Sequence, residues 1–168
     1  MKFVETIARA FAMDEATWER HASPWSVWTR VVSLPLLLAA VWSHAWLGWW
    51  SALPIGLVML WLWLNTRLFT PPATTDSWAS RGTFGERVWL NRVNVPIPPH
   101  HARVAALLTA LSAVSFVAAL AGAIANDLAW TAGAGSVTWL SKMWFVDRMV
   151  WLYDEMKDQH PQYRRWLR

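Results

Sequence analysis

Two long stretches of the chain carry no charged side chain. Residues 31–66 contain no Asp, Glu, Lys or Arg, and neither do residues 104–126. Each run exceeds the roughly 18 to 20 residues that a helix needs to cross the hydrocarbon core of a bilayer. The chain therefore reads as an integral membrane protein. Its composition agrees: 55% of the 168 residues are hydrophobic, only 15% are charged and 16 are Trp, whereas an ordinary soluble domain carries about 25% charged residues. A mean hydropathy of +0.22 understates this, because hydropathy scales score Trp as mildly polar. The length suits one domain or small bundle. Intrinsic disorder, nucleic-acid binding, a disulfide scaffold and a soluble α/β enzyme are all disfavoured.

The fold class expected is all-α: a polytopic membrane protein with four transmembrane helices in two hairpins, an amphipathic N-terminal helix and a cytoplasmic loop helix. Residues 1–25 form an interfacial segment in which Phe3, Ile7, Ala10 and Phe11 recur at helical spacing. Acids at Glu5, Asp14 and Glu15 make it unlike a signal peptide. The first two crossings are 26–46 and 49–64, joined tightly around Gly48 and bordered by pairs of Trp at both ends, where an amphipathic indole prefers to sit. Residues 65–101 make a long polar connection, functional or flexible in so small a bundle. Within it Thr83 and Glu86 have capping-box spacing and predict a short helix over 84–92. The third crossing, 102–125, carries small-residue rows (Ala102, Ala106, Ala110; Ala118, Gly122; Ala119, Ala123) that suit close helix packing in lipid. The fourth is 128–152, and 153–168 is a polar tail.

Clustered Lys and Arg fall in the amino-terminal segment, the 65–101 connection and the tail, while the connections near residues 47 and 127 have none. By the positive-inside rule both termini and the long connection are cytoplasmic. Anionic lipid headgroups are the expected partners of this basic surface, with other transmembrane helices or a second copy as further partners, and no nucleic acid.

No phosphate-binding glycine loop, dinucleotide fingerprint, zincin motif or nucleophile elbow is present. The absence of Cys removes thiolate metal sites and thiol catalysis. What remains is a set of polar residues towards the cytoplasmic helix ends. Arg30, Arg67 and Arg103 suit snorkelling anchors, and Asn65 lies beside them. Asp147 stands inside the apolar run KMWFVDRMVWLY, where an acid is costly and needs a partner; matched depth points to Arg30. Asp147, His100, His101 and Glu86 are the candidate proton carriers. Arg81, Arg87, Arg92 and Arg148 are candidates for an anion or headgroup. His100 and His101 suggest a metal, yet adjacent residues on a helix point about 100° apart, and a third ligand would have to come from Asp147, Glu86 or another acid. No metal ligand set and no cofactor is assigned on that basis.

The runs SPWSVWTR, WASRGTFGERVWLNR, PIPPHH and KMWFVDRMVWLY resemble an uncharacterised family of small prokaryotic integral membrane proteins, a domain of unknown function, from about residue 13 to 156. The resemblance implies a compact helical membrane protein and transfers no catalytic role. Three function classes compete: a membrane-embedded enzyme acting on a lipid-soluble or headgroup substrate, a non-catalytic accessory or scaffold subunit, and, third, a transporter. An open pocket at the polar cluster favours the enzyme and a dry, fully paired cluster favours the scaffold.

Overall fold

The computed structural model describes residues 14–168, which are all-helical with no strand among them. Phe3, Ile7, Ala10 and Phe11 of the expected amphipathic N-terminal helix lie outside the described residues. The helices are α1 (Glu15–His21), α2 (Pro24–Trp42), α3 (His44–Leu47), α4 (Ala52–Leu68), α5 (Trp78–Leu90), α6 (Pro99–Ala125), α7 (Leu128–Met156) and α8 (Pro161–Arg164), with a 3₁₀ turn at Gly48–Ser51.

Local chemistry sets these limits. Asp14 caps α1 by accepting from the Thr17 amide at 2.7 Å, Ser77 caps α5 through the Ser80 amide, and Asp127 caps α7 through the Trp130 amide. Pro24 and Pro99 stand in the first turns of α2 and α6, where a missing N–H costs nothing. Asn126, left-handed at φ 56°, stops α6. Pro35 lies inside α2 and cannot donate to the carbonyl of Val31. Trp139 of α7 supplies the missing donor, its indole N–H reaching that carbonyl at 3.3 Å.

Among the described residues, two helical stretches are long and apolar enough to cross a membrane by length and composition. They are Pro24–Leu68, with mean hydropathy 1.6, and Pro99–Ala125, with mean hydropathy 2.3. The first doubles back, so that α2 lies against α4, and the two are tied by buried Asn65. Asn65 accepts from Ser26 Oγ and donates to Thr29 Oγ1, both at 2.7 Å. The most extensive pairing is α6 against α7, with α5 next against α7.

The α6 seam consists of His101, Ala105, Leu108, Ser112, Ser115, Ala119 and Gly122. That alternation of four- and three-residue steps keeps one narrow face on a partner helix. Opposite it, α7 offers Thr131, Gly135, Thr138 and Ser141, and Thr138 donates to Ser115 Oγ at 2.9 Å. The expected row Ala102, Ala106, Ala110 is therefore not the packing face; Ala106 and Ala110 are exposed. Gly122 and Ala119 are in the seam.

The loop helix also differs from expectation. It spans 78–90 rather than 84–92, and its cap is Ser77, so Thr83 and Glu86 lie in its interior. It does not rest on a surface. Ala79, Ser80, Gly82, Thr83, Phe84, Gly85 and Val88 are buried, and a Cβ at Gly85 would overlap the Met149 backbone of α7. Around this contact lies the main apolar core, built from Phe84, Val88, Leu108, Phe145, Met149, Leu152, Tyr153 and Tyr163.

The residues after α7 are part of the same end. Thr75 donates its amide to the Arg168 carbonyl at 2.8 Å, and Asn91 donates to the Tyr163 hydroxyl at 2.9 Å. Arg87 forms a two-pronged ion pair with Glu15. The 65–101 connection, α1 and the 153–168 tail thus gather at one end of the molecule. At the other, Asn126 meets His44 at 3.3 Å, joining the two tight turns.

Candidate functional site

Ser26, Thr29, Arg30 and Ser33 recur on one face of α2 at three- and four-residue spacing. That face turns inward. Arg30 donates from Nε to the Ser26 carbonyl at 3.2 Å and from Nη1 to Nε2 of His21 at 2.7 Å. A donor from Arg30 requires a bare Nε2, so His21 is the neutral tautomer with its proton on Nδ1, which is buried without a partner among the described residues. Burial first, and then the charge of Arg30, hold the pKa of His21 well below the ordinary 6.5.

Beyond Arg30 opens a cavity of about 460 Å³ between α2, α6 and α7, to which α5 contributes Glu86. Three charged side chains reach it: Arg30 from α2, Glu86 from α5 and Lys142 from α7. The hydroxyls of Ser33, Ser112 and Thr138 line it further in, and Leu34, Leu37, Phe116 and Trp139 make an apolar wall. Glu86 is the carboxylate whose charge acts on Arg30, and it accepts no hydrogen bond among the described residues. Lys142 sits with its ammonium 5.0 Å from the ring centre of Phe145. A second, apolar crevice of about 590 Å³ follows between α2 and α7, sharing Leu34 and Trp139 with the first. Two cations and one acid at a polar end, continued by an apolar trough, form a place for an amphipathic anion.

The sequence-predicted candidates separate into different surroundings. Glu86 alone of the four proton carriers lies in the cavity. Asp147 accepts from the indole N–H of Trp78 at 3.0 Å, and Trp78 stacks on Trp28 at 5.7 Å. The expected Arg30–Asp147 ion pair is not formed among the described residues, because the two side chains face different neighbours at similar depth. His100 and His101 lie near Glu155, which sequence reasoning placed in the tail and did not single out.

The four arginines do not form one anion cluster. Arg87 is committed to Glu15 and stacks on Trp166, 4.0 Å from the ring centre. Arg81 pairs with Asp154 at 3.3 Å. Arg92 folds over Trp89, and Arg148 over Trp151. Arg67 likewise lies over Trp63. The cations that line the cavity are Lys142 and Arg30, neither of them among those four arginines. The polar stripe on α2 was the available signal for that cavity.

The profile of a family of unknown function (DUF6653) matches residues 3–166. Comparison with curated proteins and with solved structures gives no match.

Proposed function

We propose that this chain, which belongs to the DUF6653 family of unknown function, is a multi-pass protein of a prokaryotic cytoplasmic membrane that takes an amphipathic anionic lipid into the cavity between α2 and α7 and acts on its polar end. In this reading α2, α4, α6 and α7 each cross the bilayer, with both termini and the 65–101 connection cytoplasmic. Several observations support it. Only 17% and 28% of the two most apolar windows are buried, so most of their side chains face outward. A water-soluble protein rarely exposes so large an apolar surface. The outward face of α7 carries Leu128, Val137, Leu140 and Trp144, while Thr131, Thr138 and Ser141 point inward and lower its mean hydropathy. The end that gathers the clustered Lys and Arg is the one expected inside.

The carrying observation is the polar end of the cavity: Arg30, Lys142 and Glu86, an acid without a hydrogen-bond partner among the described residues, beside an apolar trough. Arg30 and Lys142 attract the headgroup, and Glu86 is the group placed to donate or remove a proton there. A purely structural cluster, as a scaffold subunit would have, gains little from an acid that faces a cavity with no hydrogen bond among the described residues.

Native mass spectrometry of the protein released from mild detergent tests this. Wild type should retain anionic lipid, Lys142→Gln should retain several-fold less, and Glu86→Gln should retain at least as much, since it removes a like charge. Equal anionic-lipid retention in wild type and Lys142→Gln, or none in wild type, contradicts the proposal.

A further inference from the structure

His100 and His101 occupy the first turn of α6, and Glu155 the last turn of α7. The Nε2 atoms of both rings face the same carboxylate oxygen: His101 lies 2.9 Å from Glu155 Oε2 and His100 3.8 Å. The ring centres are 4.2 Å apart, so the divergence expected of adjacent helical residues is undone by side-chain torsions. All three ligand atoms fall within 4.8 Å of one another. None of these residues lines the cavity between α2 and α7.

We propose that His100, His101 and Glu155 form a divalent-metal site that takes Zn²⁺ or a similar first-row ion through two imidazole nitrogens and one carboxylate oxygen. Zn²⁺ binds such donors at about 2.0 to 2.2 Å. Ligand atoms around it therefore stand roughly 3 to 3.5 Å apart, close to the spacing already present. His101 is the fixed member, with a side chain 2% exposed and its Nδ1 buried, so Nε2 is the nitrogen it can offer. His100 and Glu155, 60% and 44% exposed, can close the remaining distance and leave the outer face of the ion open. Two imidazoles with one carboxylate suit borderline ions better than Mg²⁺ or Ca²⁺, which prefer all-oxygen sites.

The plain alternative is an imidazole–carboxylate contact that only pins α6 to α7. Zinc titration of tag-free, full-length protein in detergent, followed by calorimetry and by thermal unfolding, separates the two. Wild type should bind one Zn²⁺ per chain and unfold at a higher temperature when it is present. His100→Ala and Glu155→Gln, both at exposed positions, should each weaken binding by about tenfold or more and abolish the thermal shift, with His44→Ala and His160→Ala behaving as wild type. Failure of wild type to bind zinc, or unchanged zinc affinity in His100→Ala and Glu155→Gln, overturns the proposal.

Discussion

Arg30 shows how one side chain can fix the state of another. Its Nη1 donates to His21, and an imidazole that accepts from a guanidinium cannot also hold a proton on that nitrogen. The native pKa of His21 is therefore depressed by burial and by Arg30, whereas the unfolded histidine titrates near its ordinary 6.5. Below that pH the unfolded state gains a proton that the native state refuses, so stability is full above about 6.5 and falls as the pH drops towards the native value. Thermal stability in detergent should thus decline below about pH 6.5. His21→Gln, which keeps an acceptor for Arg30 but does not titrate, should decline less steeply over that range. Parallel pH curves for the two proteins would show that His21 is not the linked group. The partner of Arg30 was not legible in the sequence. Depth along a helix can be counted from flanking Trp residues, which is why Asp147 looked suitable, but depth leaves the direction of each side chain open.

Among the elements, the best-packed surfaces are those with the least hydrophobic signal. A Cβ on Gly122 would lie 2.7 Å from Cδ1 of Trp130 and 2.8 Å from the Thr131 amide nitrogen. Gly85 leaves still less room, since a Cβ there would overlap the Met149 carbonyl. Gly122→Ala and Gly85→Ala should each destabilise the protein by overpacking, by about 1 to 3 kcal/mol or more. Ala106→Leu, at an exposed position, should change stability by less than about 0.5 kcal/mol. Thermal unfolding of the three variants measures this, and a large loss for Ala106→Leu with none for Gly122→Ala would mean that α6 is turned the other way. The apolar runs made α2, α4, α6 and α7 visible to within a few residues. They could not reveal α5 as a core element, because beside Phe84 and Val88 it is buried through Gly, Ala, Ser and Thr, residues that a hydrophobic pattern does not register. Glu155 escaped for a related reason. Acids are unremarkable in a polar tail, and only the continuation of α7 to Met156 brings this one beside His101.

At the scale of the whole molecule, polar groups collect inside and at one end, while the middle of the bundle is apolar outward. Hydroxyl stripes on α2, α6 and α7 turn towards one another, and Leu107, Val114, Val117 and Leu140 turn away. This inversion of the soluble pattern makes sense if hydrocarbon surrounds the middle and water meets the ends. Cysteine labelling tests that placement most directly, since the chain has no Cys of its own. Single cysteines can be introduced at the exposed positions Trp49, Leu128, Asn94 and Gln159 and probed in intact cells with a membrane-impermeant maleimide. The account predicts that Trp49→Cys and Leu128→Cys are labelled from outside, and that Asn94→Cys and Gln159→Cys are labelled only after the membrane is opened. Labelling of Asn94→Cys or Gln159→Cys from outside, or recovery of the protein in the soluble fraction, would contradict it.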